Sequence, residues 1–328
     1  MSFAAKLVAW QRRHGRRDLP WQATRDPYRV WLSEIMLQQT QVSAVIPYYQ
    51  RFLQKYPSVA ALAAASEDEV LQLWSGLGYY ARGRNLLRAA REVVGLGRFP
   101  DRAEKISELP GIGRSTAAAI AVFAFGERAA ILDGNVKRVL SRVFGIEAEK
   151  KLWALAERLL PKRDIEAYTQ GLMDLGATVC TRIPDCTACP VKARCVARKT
   201  DRVAELPAPR PRKALPLKNT TWFVYLNAGR VLLERRASSG VWGGLWCFPE
   251  EPVVKAKRAR KLAPIDHGFT HFRLRIEPVV FALATQPELG ARFDWMSLKE
   301  ALRAAIPTPV RKLLQHSLQA LEARAGVV

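Results

Sequence analysis

The sequence predicts two parts: a mainly α-helical N-terminal region and, across a basic proline-rich linker, a smaller α+β domain. Three observations predict it. Through about residue 199, apolar residues recur at three- and four-residue spacing, with frequent helix-start signals. Residues 200–217 lose that period, and Pro207, Pro209, Pro211 and Pro216 stand among Arg210, Arg212 and Lys213, the composition of an extended, semi-rigid spacer. Residues 218–328 then read as short strands and a closing helix. A length of 328 residues with 49% hydrophobic content suits two ordinary globular domains.

Each element has a local cause. Arg12, Arg13, Arg16 and Arg17 give a first amphipathic helix its basic face; a transit peptide is the alternative, but nothing resembles a cleavage site. Asp26-Pro27 is a cap followed by proline at the first helical position, and Ser66 with Glu69 forms a capping box ahead of Val70, Leu71, Leu73 and Trp74. Helices break at Gly76-Leu77-Gly78, Gly95-Leu96-Gly97 and Leu109-Pro110-Gly111-Ile112-Gly113. In the second domain, Thr221–Leu226 and Val231–Glu234 flank Asn227-Ala228-Gly229 as a hairpin. His271–Ile276 and Val279–Leu283 read as two further strands, and Val310–Ala323 as the closing helix.

Charge limits the function. With 52 Lys+Arg against 30 Asp+Glu the net charge is +22 and the pI about 10.3, and both sides of the linker are basic. Such a surface favours nucleic acid or an anionic membrane. No apolar run approaches the roughly 18–20 residues that span a bilayer, and the basic residues are dispersed, so the membrane reading is set aside.

Four cysteines, Cys180, Cys186, Cys189 and Cys195, fall within sixteen residues, with Arg182, Lys192 and Arg194 between them. Thiolates this close surround one metal centre better than they cross-link a fold. Zinc sites more often carry two CxxC pairs, so one pair flanked by single cysteines favours an iron–sulfur cluster; zinc and two disulfides are the alternatives. Cys247 stands alone and reads as a small buried side chain.

Two carboxyls could carry chemistry. Glu34 lies in the otherwise apolar run Val30–Leu37, and counting 100° per residue puts it on one stripe with Gln38 and Gln41. A carboxyl among apolar groups and amides is expected to have a raised pKa, as a general acid needs; the alternative is a solvated glutamate. Asp133 precedes Gly134-Asn135-Val136-Lys137-Arg138 and reads as the N-cap of a helix, whose positive end keeps a carboxylate ionised. The glycine hairpin Leu109–Gly113, followed by Arg114-Ser115-Thr116, leaves amides free at a helix start to hold a phosphate; an ordinary helix connection is the alternative.

The strings Trp31–Val42, Gly76–Arg82, Leu109–Thr116 and Ile131–Leu140, in this order and followed by the cysteines, resemble the MutY-type adenine DNA glycosylases over nearly the whole chain. The resemblance implies a helix-hairpin-helix fold (hairpin about 104–125) in region 1–199, with one [4Fe-4S] cluster on loop 180–195. It implies a linker at 200–217 and a Nudix-like lesion-recognition domain at 218–328. The implied activity is removal of adenine opposite 8-oxoguanine or guanine in double-stranded DNA, leaving an abasic site for base excision repair. The expected form is a monomer of bacterial type in the cytoplasm, with no membrane partner.

Carried over by motif, Glu34 matches the acid that protonates adenine N7, Asp133 the carboxylate that stabilises the sugar cation, and Asn135 its support. Trp21 and Gln170 match positions lining the adenine pocket; Gln38 and Tyr79 match groups that wedge into the base stack. Gly111, Gly113 and Ser115 belong to the DNA-binding hairpin, and Lys137 lies beside the pocket string. Ser115 stands where endonuclease III relatives carry a Schiff-base lysine, which implies base removal without strand cleavage. Gly268-Phe269-Thr270-His271-Phe272 resembles the loop that contacts 8-oxoguanine, with Thr270 in place of a serine, while the glutamate array of a nucleotide-hydrolysing Nudix site is absent. Thr181–Asp185 supplies five residues between the first two cysteines where the family usually has six. An endonuclease III-like or thymine-mismatch glycosylase, and a non-catalytic lesion-binding protein, are the competing readings.

Overall fold

The backbone separates into two compact units that do not follow chain order. The first comprises Met1–Ala64 and Asn85–Pro211, the second Ala65–Arg84 and Arg212–Val328. The computed structural model describes residues 1–208, 214–256 and 259–315.

Eleven α-helices precede the cysteine loop: α1 (Phe3–His14), α2 (Pro27–Leu37), α3 (Val42–Lys55), α4 (Val59–Ala63), α5 (Glu67–Trp74), α6 (Ala81–Gly95), α7 (Ala103–Ile106), α8 (Arg114–Phe125), α9 (Gly134–Phe144), α10 (Glu149–Arg158) and α11 (Ile165–Asp174). A short π-helical turn, Leu175–Val179, continues α11, and α12 (Val196–Lys199) follows the loop. The caps fall where local chemistry put them. Asp26 accepts from the Tyr28 amide at 2.9 Å and opens α2, and Ser66 and Glu69 cap each other's amides at the start of α5.

In the first unit α8 is central. Its residues Ala117–Val122 are all buried, and an alanine-rich helix that is apolar all round lets neighbours approach closely. Around it α1, α9 and α11 enclose Leu7, Val136, Leu140, Tyr168 and Leu172, and Phe3 meets Phe144 edge-on at 5.4 Å. The hairpin turn before α8 requires glycine at 111, where φ is +78° and an added Cβ would lie 2.7 Å from the Asn85 side chain. Residues 200–208, read from sequence as the start of the linker, are anchored to this core: Leu206 is buried and its carbonyl accepts from Arg142 Nε at 2.8 Å.

The second unit is a mixed sheet of β1 (Leu217–Asn227), β2 (Arg230–Arg235), β3 (Trp246–Cys247), β4 (Arg260–Lys261), β5 (Ile265–Gly268), β6 (Arg273–Ala282) and β7 (Phe293–Ser297), with helices α13 (Leu298–Arg303) and α14 (Thr308–Leu313). The order is β3-β2-β1-β6-β4, with β5 also on β6 and β7 on β2. The β1–β2 hairpin forms as expected, Leu226 opposite Val231. The two strands expected at 271–283 are instead one, β6, parallel to β1 over its whole length. Pro278 does not break it because it falls between the antiparallel partners β5 and β4, where its missing N–H costs no ladder bond. The closing helix begins near its expected place with Thr308, and its expected C-terminal part lies outside the described residues. Trp222, Leu233, Phe248 and Ile276 form the core with Leu71 of α5, which is why Ala65–Arg84 groups with this unit. Cys247 is fully buried among them, its thiol pushed up to about 12 by desolvation. No helix among the described residues is long and apolar enough to cross a membrane.

Candidate active site and cysteine loop

A cavity of about 550 Å³ opens in the first unit, within the range of small-molecule sites. Glu34 lines it together with Trp21, Phe123, Gln170 and Met173. Trp21 is packed edge-on against Tyr49 at 5.4 Å, which fixes the ring as a wall. The neighbours of Glu34 on α2 (Ser33, Ile35 and Met36) are buried, and Glu34 itself is half-buried at the cavity wall. Burial, and next the charge of Asp133, push it up to about 8. It is therefore protonated at neutral pH.

Asp133 caps α9: its Oδ1 accepts from the amides of Asn135 at 2.7 Å and Val136 at 2.8 Å. The two amides favour the ionised form, as expected of a cap site, but they are not the largest influence on this carboxyl. Burial dominates and raises it, against the two amides and the Arg138 guanidinium. What separates the two acids is what opposes burial: Asp133 has donors and a cation, whereas the charge that acts on Glu34 is another carboxylate and adds to burial.

The stripe of Glu34, Gln38 and Gln41 needs correction. Helix α2 ends at Leu37, Gln38 is its C-cap, Gln39 is left-handed at φ 57°, and Gln41 is the extended N-cap of α3. A helical count cannot run through that break. Gln38 instead reaches Thr116 of α8, Nε2 to Oγ1 at 3.3 Å.

Ser115 is turned inward, its Oγ accepting from the Leu132 amide at 2.9 Å, which ties α8 to the strand of chain leading into Asp133. Helix α8 opens at Gly113 without a side-chain cap, so no capping side chain occupies its first amides. Lys137 pairs with Glu149 at 2.6 Å. Arg138, not singled out from sequence, donates to Asn135 Oδ1 at 2.7 Å and to the carbonyls of Gly176 at 2.5 Å and Cys180 at 2.6 Å. Gly176 permits this approach, since a Cβ there would lie 2.9 Å from the Asn135 carbonyl oxygen.

The four cysteines line one small void with Arg142 and Pro184. Arg142 Nη1 approaches Cys180 Sγ at 3.5 Å and donates to the Thr181 carbonyl at 2.7 Å; the Cys195 thiol donates to the Arg142 carbonyl at 3.3 Å. Burial raises the thiols of Cys180 and Cys189, and the charges of the other three cysteines raise Cys189 further. Among the described residues, no three His, Cys, Asp or Glu side chains are gathered tightly enough for a single ion. Four cysteine thiols around one void are a donor set of the kind that holds an iron–sulfur cluster.

In the second unit, Tyr79 has φ 49° and is 46% exposed, an unusual state for a large aromatic residue. Arg82 lies over its ring and that of Trp74, and donates to the carbonyls of Leu77 and Gly78. The Tyr79 hydroxyl meets Thr270 Oγ1 at 3.1 Å. Thr270 and the exposed His271 form the tip of the β5–β6 turn, whose base is the stack of Phe269 on Phe272 at 4.4 Å against Trp242. Both phenylalanines are thus packing residues.

The profile of HhH-GPD superfamily base excision DNA repair proteins matches residues 32–162, and that of the NUDIX domain matches 221–316. An adenine DNA glycosylase of Buchnera aphidicola subsp. Acyrthosiphon pisum is 37% identical over 340 residues, spanning 96% of this chain and 97% of its own. One from Homo sapiens is 34% identical over 96% of this chain and 73% of its own. The chain belongs to the adenine DNA glycosylase family. Within the family's wider fold, a thermostable thymine-DNA glycosylase superposes with TM-score 0.57 at 34% identity, covering 60% of this chain and 95% of that one. An endonuclease III–DNA complex shares the same fold over 60% of this chain and 94% of that one, at TM-score 0.53 and 21% identity.

Proposed function

We propose that the protein is a DNA-repair glycosylase that hydrolyses the N-glycosidic bond of adenine opposite 8-oxoguanine or guanine in duplex DNA, and leaves an abasic site. The observation that carries the reading is the pair of electrostatically coupled carboxyls: Glu34 protonated in a cavity large enough for a base, and Asp133 beside it held by amides and a guanidinium. Such a difference in surroundings is what an acid and an anionic stabiliser require. Family membership supports adenine as the base, and the +22 charge supports a polyanionic partner.

In this reading the adenine leaves the helix and enters the cavity between Trp21 and Gln170. Glu34 gives its proton to N7, and Asp133, braced by Asn135, stabilises the oxocarbenium-like sugar. Each task is worth about two to three decades in rate. Gln38 and Tyr79 fill the vacated stack. The amides that open α8 after Gly113 hold phosphate, and Gly111 makes the turn that presents them. Ser115, already committed to the Leu132 amide, offers no amine for a Schiff base, so the product is an abasic site with the strand intact. The deciding experiment incubates duplexes differing only in the mispair, then adds alkali. Cleavage at adenine only after alkali supports the reading, and release of thymine from G·T duplexes in its place would overturn it.

Cys180, Cys186, Cys189 and Cys195 would hold one [4Fe-4S] cluster, whose contribution is to brace the basic loop. Purified protein should be brown with broad visible absorption, from sulfur-to-iron charge transfer. Colourless protein carrying one zinc per chain would defeat the assignment.

Thr270 and His271 would read the base opposite. The lesion differs from guanine by one carbonyl oxygen and one N–H, and one or two hydrogen bonds are worth about 1–3 kcal/mol. His271→Ala should therefore reduce the preference for 8-oxoguanine over guanine by about one to two decades without slowing excision opposite guanine. An unchanged preference would remove His271 from that role.

A further inference from the structure

Resting on the adenine reading, we propose that Asp174 is a positioning residue that fixes the polarity of the Gln170 amide, so that the cavity offers a carbonyl oxygen to the amine of the bound base. Asp174 is fully buried, a costly place for a carboxyl unless it is well supplied with donors. Three donors reach it. Arg16 Nε lies 2.7 Å and Gln170 Nε2 2.9 Å from Oδ1, and the Arg16 amide lies 3.0 Å from Oδ2. Asp174 stands one turn after Gln170 on α11, and α11 is seated on α1 where a Cβ at Gly171 would lie 3.1 Å from both Leu7 and Gln11.

The polarity follows from donor and acceptor rules. An ionised carboxylate, here paired to Arg16, only accepts, so the Gln170 group facing it is the NH₂. Reversing the amide would set two acceptors against each other in a buried site. The amide oxygen is thus the end left for the cavity that Gln170 lines. Adenine presents N7 as acceptor beside a 6-amino donor, whereas guanine presents two acceptors, N7 and O6. A cavity with a protonated Glu34 and an amide oxygen on its walls matches the first pattern and opposes the second. Selection then rests on a repulsive element as well as an attractive one.

The test measures single-turnover excision, per active site, from three duplexes with one common opposite base. The target carries an amine (adenine), hydrogen (purine) or oxygen (hypoxanthine) at position 6. The parent should prefer adenine to hypoxanthine by about 100-fold or more, since a site built for one polarity leaves a buried group unpaired with the other. Asp174→Asn, whose amide can turn to suit either orientation of Gln170, should reduce that ratio at least about tenfold and leave purine little changed. Exchanging the pair, with Gln170→Glu and Asp174→Asn together, restores one donor and one acceptor and should recover the adenine preference; it also carries the test where the single variant does not fold. An equal fall on all three substrates in Asp174→Asn would make the residue merely structural. A parent that removed hypoxanthine within tenfold of adenine would overturn the proposal without any variant. A parent that removed no adenine would instead defeat the functional reading beneath it.

Discussion

Glu34→Gln will keep its affinity for duplex DNA and lose about two to three decades of single-turnover excision, because an amide has no acidic proton to give. The same substitution will change the pH dependence of stability, and the sign can be worked out. The Glu34 carboxyl has an ordinary value of 4.5 and is held near 8 in the folded protein. Below 4.5 it is protonated in both states and favours neither. Between 4.5 and about 8 unfolding releases its proton, so the parent loses stability as the pH rises through that window. At about 1.4 kcal/mol per pH unit the full cost is on the order of several kcal/mol, and relaxation of the cavity reduces it. The melting temperature of the parent should therefore fall more than that of the variant between about pH 6 and pH 9. Excision by the parent should decline above pH about 8, where the acid loses its proton. Turnover within tenfold of the parent, or parallel melting curves, would remove Glu34 from the general-acid role.

What the sequence revealed depended on how local the cause was. The caps at Asp26, Ser66 and Asp133 were legible because a side chain bonding an amide two or three residues on needs nothing from the rest of the fold. The cysteines and Glu34 were legible as chemical anomalies, a ligand cluster and an acid in an apolar run. Non-local causes were not. The break at Gln38–Gln41 depends on how α2 meets α3, and period counting runs through it. Residues 65–84 read as part of one helical region, yet Leu71 packs into the sheet domain's core. The partnership of Arg16 with Asp174 joins positions 158 residues apart, and Asp174 carries no sign of it except an acid four residues after Gln170. Arg138 looked like one more basic residue, although three acceptors hold it between Asn135 and the cysteine loop.

Asp133→Asn will also lose about two to three decades of excision, and here catalysis and stability must be separated because one side chain serves both. The cap is made by a single oxygen, since both amide bonds end on Oδ1. Asparagine retains such an oxygen and is as good an N-cap as aspartate, so folding should change little. What it loses is the negative charge, and the NH₂ it gains turns a donor towards the place where the sugar cation develops. Asp133→Ala removes both functions and should cost about 1 kcal/mol of stability from the lost cap, with the same loss of excision. Lowered excision with an unshifted melting temperature in the asparagine variant, and both lowered in the alanine variant, would assign the charge to catalysis and the oxygen to the fold. If excision instead tracked melting temperature through the pair, the charge would have no catalytic role and Asp133 would be a cap alone.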